Sequence, residues 1–279
     1  MKAIPLLLII SLTLGFMAVA CGSSNTSIES AGITKEKLID GLMVSRIDIK
    51  TGQAEGNDVF TAEGSHGTLT MRADYKCIFD WSQSQMKLNQ SRTINFNGYV
   101  EIYNNTIYVF GTMAYILIQD EGLPDLWIYG ELPESYWSRW ETVDQEIELL
   151  YSSKINILPM EEVAGTPCYV AEIIPDMDTL QEILNSAPLP SLPEESPQST
   201  VDRFIFKRWF AQDNFFTLKI HDEFDSTYPD GKTFHDVQDY TYHDYNKNVS
   251  IQLPPEAKKA QYVGALDKFL EQGLDSVTY

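Results

Sequence analysis

The stretch that decides the fold is TLTMRADYKCIFDWSQSQMKLNQSRTINFNGYVEIYNNTIYVFG, residues 68–111. Apolar and polar residues alternate through several runs of it, as they must when a β-strand buries one face and wets the other. Asn97-Gly98 and Asn104-Asn105 read as turn dipeptides between the runs, the second fitting a two-residue hairpin loop. The stretch therefore predicts a β-meander of antiparallel strands with one face buried.

Further strands follow on both sides of a central helical interruption. MAYILIQD (113–120) and LWIYGEL (126–132) continue the meander, and GTPCYVAEIIPD (165–176) is a strand with Pro167 at its start. VDRFIFKRWFAQDNFFTLKIHDEFDS (201–226) gives two strands joined at AQDN. KTFHDVQDYTYHDYNKNVSIQL (232–253) gives one or two more, with Asn246-Lys247-Asn248 as a turn. Helices are expected from about Lys35 to Met43, with Thr34 as N-cap and Leu38 and Leu42 on one face. A short helix is read around Ile147, Leu150 and Tyr151 within residues 138–158, and another after Asp178 through Leu180, Ile183 and Leu184. The tail 261–277 is amphipathic at helical spacing through Val263, Leu266, Phe269, Leu270 and Leu274. The Pro/Ser-rich PLPSLPEESPQS (188–199) reads as an exposed loop within one domain.

The start of the chain has a separate logic. A lysine, an apolar run and then Ala18, Val19, Ala20 and Cys21 make up a secretion signal ending at a cysteine. Pro5 and Gly15 interrupt the run, which is at the short limit for a membrane span. The site is similar to the lipobox of prokaryotic lipoproteins, except that Ala18 stands where leucine is usual, so cleavage by an ordinary signal peptidase stays open. The expected organisation is a signal peptide (1–20), lipid on Cys21 with acyl chains such as palmitate, a Ser/Gly/Asn-rich tether to residue 32, and one domain over 33–279. Such a protein is exported and held to the cell envelope by its lipid, facing away from the cytoplasm.

Composition excludes several functions. The 279 residues carry a formal net charge of −20, and losing Lys2 with the signal makes it −21. No Lys/Arg cluster offsets that charge, so nucleic acid is not an expected partner. Membrane attachment would rest on the lipid rather than on attraction to anionic headgroups. Hydrophobic residues at 43 % indicate a folded chain. Phosphate-cradling glycine loops, HExxH, CxxC and GxSxG are all missing, so no enzymatic activity and no cofactor is expected. His221, His235 and His243 are interleaved with Asp222, Glu223, Asp236 and Asp244, but spacings of fourteen and eight residues match no metal motif, and no metal is expected. DSTYPDGKT (225–233) lacks the spaced acceptors of a calcium loop and reads as a hairpin turn. With Cys21 lipidated, Cys77 and Cys168 are either a disulfide, as an even pair in an exported chain permits, or two buried thiols.

Aromatic residues crowd two stretches, around Trp127 to Trp140 and around Phe204 to Phe216. They either fill a large β-core or line an apolar cavity.

The order of these features resembles lipoproteins of the LolA-like fold, which include the carriers LolA and LolB and the mycobacterial LppX/LprG group. The resemblance is carried by the lipobox at Cys21, NGYVEIYNNTIYVFG (97–111), WSRW (137–140), GTPCYVAEIIPD leading into MDTLQEIL, FKRWFAQDNFFTLKI with its Trp209-x-x-x-Asp213, and YHDYNKNVSIQLPPEA (242–257). It implies an α+β fold: a strongly curved antiparallel sheet forming an open half-barrel, with helices covering the concave face. It also implies a lipid or other hydrophobic ligand in the cavity between them, with Trp127, Tyr129, Trp137, Trp140, Phe206 and Trp209 as candidate lining. The alternative is a structural or adaptor envelope lipoprotein working through a protein partner, with a filled core and an exposed apolar patch.

Overall fold

A computed structural model describes residues 32–65, 67–120, 124–133, 136–137, 150–176 and 200–266. The signal, Cys21, the tether up to residue 31, Trp140 and the expected helix after Asp178 lie outside the described residues.

Twelve strands form one sheet. In chain order they are β1 (Thr51–Gly64), β2 (Gly67–Asp80), β3 (Gln85–Phe96), β4 (Tyr99–Phe110), β5 (Met113–Asp120), β6 (Leu126–Glu131), β7 (Lys154–Val163), β8 (Thr166–Ile174), β9 (Thr200–Ala211), β10 (Thr217–Thr227), β11 (Thr233–His243) and β12 (Gln261–Ala265). Their spatial order is β12-β6-β5-β4-β3-β2-β1-β11-β10-β9-β8-β7. Every pairing is antiparallel except β12 on β6, and the end strands β7 and β12 do not pair, so the sheet is unclosed.

The expected meander is present, with two corrections. Asn97-Gly98 is the β3–β4 turn, with both residues at positive φ. Asn104-Asn105 is not a turn; the pair lies inside β4, opposite Ser91 and Gln90 on β3 and Gln119 and Ile118 on β5. The real β2–β3 turn is the short 3-10 segment Trp81–Gln83, capped by Asp80 and closed by Ser84 at φ 50°. Strand β1, read in the sequence as no element at all, is central. Its glycines explain why: a Cβ on Gly52 would stand 2.5 Å from the Phe79 ring, and one on Gly56 would meet the Tyr240 ring and the Asp239 carbonyl. Neighbouring aromatics thus supply the volume that β1's own sequence lacks.

The helix α1 (Lys35–Asp48) begins at Thr34 as expected, the Thr34 hydroxyl accepting from the Lys37 N–H at 3.3 Å, and runs five residues further than the sequence suggested. It lays Leu38, Ile39 and Leu42 on Tyr169, Ala171, Ile173, Phe206 and Phe210 of β8 and β9. Of the stretch 138–158 in which a short helix is expected, residues 150–152 are helical, residues 154–158 belong to β7, and residues 138–149 lie outside the described residues. The start of the expected C-terminal helix is also corrected. Residues 261–265, Val263 included, form β12, because the exposed edge of β6 takes them as a parallel strand. Leu266 packs into the core, and the residues after it lie outside the described residues.

Register sorts the side chains onto two faces. On β2 the odd residues Met71, Ala73, Tyr75, Cys77 and Phe79 are buried, and pairing carries this face across to Leu88 and Met86, Ile107 and Val109, Ile116 and Ile128 on one side. On the other it continues through Ala54, Tyr240, Ile220, Phe206 and Ile173. Below, this is called the buried face.

Candidate functional site

The buried face is not uniformly apolar. Along β3 the inward residues run Met86, Leu88, Gln90, Arg92, Ile94, so the alternation breaks for two positions. The same break occurs at the same height on neighbouring strands. Asp58 lies opposite Ala73, which lies opposite Arg92; Tyr75 faces Gln90, and Gln90 faces Asn105. On the other side Asp58 faces Gln238, which faces Asp222. A belt of polar side chains therefore crosses the buried face, with apolar rows above and below it.

Most of the belt is sealed from water. Asp58 is 6 % exposed, Gln90 3 % and Arg92 5 %. The Gln90 amide donates to the Tyr75 hydroxyl at 3.4 Å, but its own carbonyl oxygen Oε1 and Asp58 Oδ1 have no hydrogen-bond partner. A buried acceptor left unmatched costs about 1–3 kcal/mol. Burial first, and then the hydrogen bond and charge of Asp236, push the Asp58 carboxyl up to about 8, so at neutral pH it holds a proton. Burial likewise moves the Arg92 guanidinium below its ordinary value. Beside them Arg208 and Asp222 form a bidentate ion pair, Nη2 to Oδ2 at 3.1 Å; burial raises the Asp222 carboxyl and the Arg208 charge works against that rise.

Above the belt the buried face ends in a half-buried aromatic rim. Phe60 and Phe234 rings stand 5.5 Å apart, Phe234 and Tyr228 4.8 Å, and Phe204 and Phe224 5.3 Å. Below the belt is the dense cluster of Cys77, Phe79, Leu88, Ile107, Ile116 and Ile128. An amphiphile is matched by such a surface: aromatic rim for a chain, unmatched acceptors for a donor-bearing head.

The structure does not gather the candidate lining residues. Phe206, 0 % exposed, is on the buried face under α1. Trp127, Tyr129 and Trp209 have the opposite parity and lie on the other face. Trp209 is enclosed there, with Lys207 and Lys219 each 4.5 Å from its ring centre and its indole N–H donating to Glu161 at 2.7 Å. Tyr129 stacks on Tyr115 at 5.3 Å. Trp137 packs on the buried-face cluster next to Trp81 and donates to the Gly111 carbonyl. Aromatic content marked these residues in the sequence; period-two parity divides them.

The two cysteines divide between the faces in the same way. Cys77 on β2 points into the buried face, whereas Cys168 on β8 points to the opposite face against Val170 and Trp209. Five strand spacings of about 4.8 Å also separate β2 from β8 in the sheet. Both are buried free thiols, and burial pushes the Cys77 thiol up to about 12.

The histidine segment resolves into separate pairs on the outer face. His221 Nδ1 is 3.0 Å from Asp239, His235 Nδ1 2.6 Å from Asp225 and His243 Nδ1 3.3 Å from Asp244, while Asp222 and Asp236 point to the buried face. Among the described residues no three His, Cys, Asp or Glu side chains converge as a metal site, and no helix is long and apolar enough to cross a membrane.

Fold and buried face together define a class: an unclosed, mainly antiparallel sheet with one face buried and a helix on one end of it. Among solved structures the chain is similar to LprF from Mycobacterium bovis, at 9% identity and TM-score 0.41 over 78% of this chain and 97% of that one. It is also similar to the lipoprotein LppX from Mycobacterium tuberculosis, at 12% identity and TM-score 0.39 over 78% and 100%. A third is a domain described as an outer membrane lipoprotein-sorting protein from Vibrio parahaemolyticus, at 12% identity and TM-score 0.22 over 78% and 95%. LppX is one of the lipoproteins named above for the resemblance of the sequence. No family model matches the chain, and no curated protein matches it.

Proposed function

We propose that this protein is an envelope lipoprotein, anchored through Cys21, that holds a lipid or similar amphiphile against the buried face of its sheet. The observation that carries the reading is the pair of unmatched buried acceptors, Asp58 Oδ1 and Gln90 Oε1, beside the half-buried rim of Phe60, Phe234 and Phe224. A core built only for stability would place apolar residues at Asp58 and Gln90, since unpaired polar groups in a dry interior are costly. A ligand whose chain covers the rim and whose head donates to the belt removes that cost. Helices over the remaining buried face and a strongly curved, half-barrel sheet belong to the same proposal. The test is uptake of a fluorescent acyl probe by the purified full chain, with Phe60→Asp and Phe234→Asp as rim variants. Saturable uptake that both variants weaken supports the carrier; no uptake, or uptake indifferent to the rim, removes it.

A second reading, an adaptor, is favoured by one surface feature. At the β3–β4 hairpin four apolar side chains are 43–58 % exposed, the cross-strand partners Phe96 and Tyr99 on one face of the sheet and Val100 and Ile102 on the other, so the hairpin end offers apolar surface on both faces to a protein partner. Substituting Tyr99 and Val100 by serine would abolish partner capture on that reading and leave probe uptake intact.

A further inference from the structure

Asp58 Oδ1 and Gln90 Oε1, the two belt acceptors without a hydrogen bond among the described residues, border one small patch of the buried face. Asp58 on β1 and Gln90 on β3 stand on the two strands that flank β2, whose inward residues at their heights are Ala73 and Tyr75. Tyr75 ties them together. The Gln90 amide donates to its hydroxyl at 3.4 Å, and Asp58 and Arg92 hydrogen-bond the same hydroxyl. With two donors at its oxygen and one acceptor for its proton, that hydroxyl has nothing left to give a ligand. The next inward side chain of β1 beyond Asp58 is Phe60, at the aromatic rim. A head at Asp58 and Gln90 is thus continuous with a chain on Phe60 and Phe234.

The unmatched atoms are acceptors, and this separates classes of amphiphile. An ionised fatty acid or a phosphodiester brings acceptors alone, and would face Asp58 Oδ1 and Gln90 Oε1 with no proton between them. Charge points the same way. The belt carries two guanidiniums, Arg92 and Arg208, against the carboxylates of Asp222 and Asp236, while Asp58 holds a proton at neutral pH, so its charges sum to zero. Arg208 is committed to Asp222, and Arg92 to the Tyr75 hydroxyl. A sealed belt whose charges already cancel penalises a head of either sign, because a buried charge without a counter-charge is costly. An ammonium head donates, but it adds a second cation beside Arg92. A hydroxyl donates without charge, and a head with two of them supplies one proton to each acceptor.

We infer that the head of the buried-face ligand is an uncharged polyol, as in a monoacylglycerol, giving one hydroxyl proton to Asp58 Oδ1 and another to Gln90 Oε1. This rests on the carrier reading, since it needs an acyl chain on the Phe60 and Phe234 rim.

The experiment is displacement of a fluorescent probe from the purified full chain in dodecyldimethylamine oxide, a detergent without hydroxyl groups. The probe is the methyl ester of pyrenedecanoic acid, which has the chain and no donor, so its uptake tests the carrier reading alone. The competitors are 1-monooleoylglycerol, glucose monooleate, methyl oleate, oleate and oleylamine, each at the same series of mole fractions in the micelles. At least one of the two polyols displaces the probe at a concentration about tenfold or more below that of methyl oleate, the effect of two hydrogen bonds, and below those of oleate and oleylamine. The better of the two tells a glycerol head from a sugar head. In Gln90→Met the ratio of that polyol to methyl oleate falls to about threefold or less, one of the two bonds having gone. If this variant fails to fold, the ranking on the unaltered chain decides. Methyl oleate, oleate or oleylamine displacing the probe as well as both polyols, or a ratio unchanged in Gln90→Met, overturns the inference and leaves the carrier standing. No uptake of the probe overturns both.

Discussion

Gly56→Ala tests the packing logic of the central strand. Gly56 sits opposite Tyr75 on β2 and Tyr240 on β11. A Cβ there would stand 2.7 Å from Tyr240 Cγ, closer still to Cδ1, and against the Asp239 carbonyl oxygen. Cγ is the root of the ring, so a ring flip about χ2 leaves it in place, and the carbonyl is fixed by the β11 ladder. Tyr240 itself is 4 % exposed and stacks on Tyr75 at 6.0 Å, so it has nowhere to retreat. Overpacking of this kind costs about 1–3 kcal/mol. For a chain of this size that lowers Tm by roughly 2–4 °C per kcal/mol. Thermal melting followed by circular dichroism reads the shift, and Gly56→Ala in a Tyr240→Leu background should recover part of it. A Tm within one degree of the parent would refute the claim that the aromatic neighbour fills the space over Gly56.

Other expectations follow from the same contacts. Gly41→Ala in α1 should destabilise, although alanine ordinarily favours a helix by about 1 kcal/mol, because its Cβ would stand 2.5 Å from Phe215 Cδ1; urea denaturation gives the sign. The Asp58 carboxyl, ordinarily near 3.8 and raised to about 8 in the fold, keeps its proton over a range where the unfolded chain has lost it. The folded state then binds more protons, so this group's contribution to stability falls as pH rises from about 4 to 8 and is level above that. Asp58→Asn should flatten the slope, seen in denaturation midpoints measured across that range. Asp222→Ala leaves Arg208 buried without its partner and should cost about 3–5 kcal/mol, whereas replacing both by methionine and leucine should cost less, measured by a double-mutant cycle. Thiol titration of the native chain should find Cys77 and Cys168 unreactive until unfolding exposes both, with no change on prior reduction.

Sequence patterning reached most of the sheet because period-two alternation is a local signal. Strands β2, β3, β5, β6, β8, β9 and β10 could be read from it. It failed where the needed information sits on another strand: β1 has Gly52 and Gly56 where its neighbours place Phe79 and Tyr240. Asn104-Asn105 was read as a turn because those residues favour turns, yet Asn105 belongs to the polar belt and Asn104 to the outer face. The residues of the belt had a signal in the sequence, the double break at Gln90 and Arg92, but its meaning depends on a register that aligns it with Asp58 and Asp222. The aromatics misled in the opposite sense, since counting them gives abundance and only parity gives the face.

Mass spectrometry of the purified full chain tests the carrier reading most directly. Under denaturing conditions only covalent groups, the acyl chains proposed on Cys21 among them, remain in the measured mass. Under native conditions a noncovalent amphiphile adds to it, and solvent extraction identifies the added species. The account expects a native excess that matches one extracted lipid and is lost in Phe60→Asp. Equal native and denatured masses, with no lipid in the extract, would contradict it.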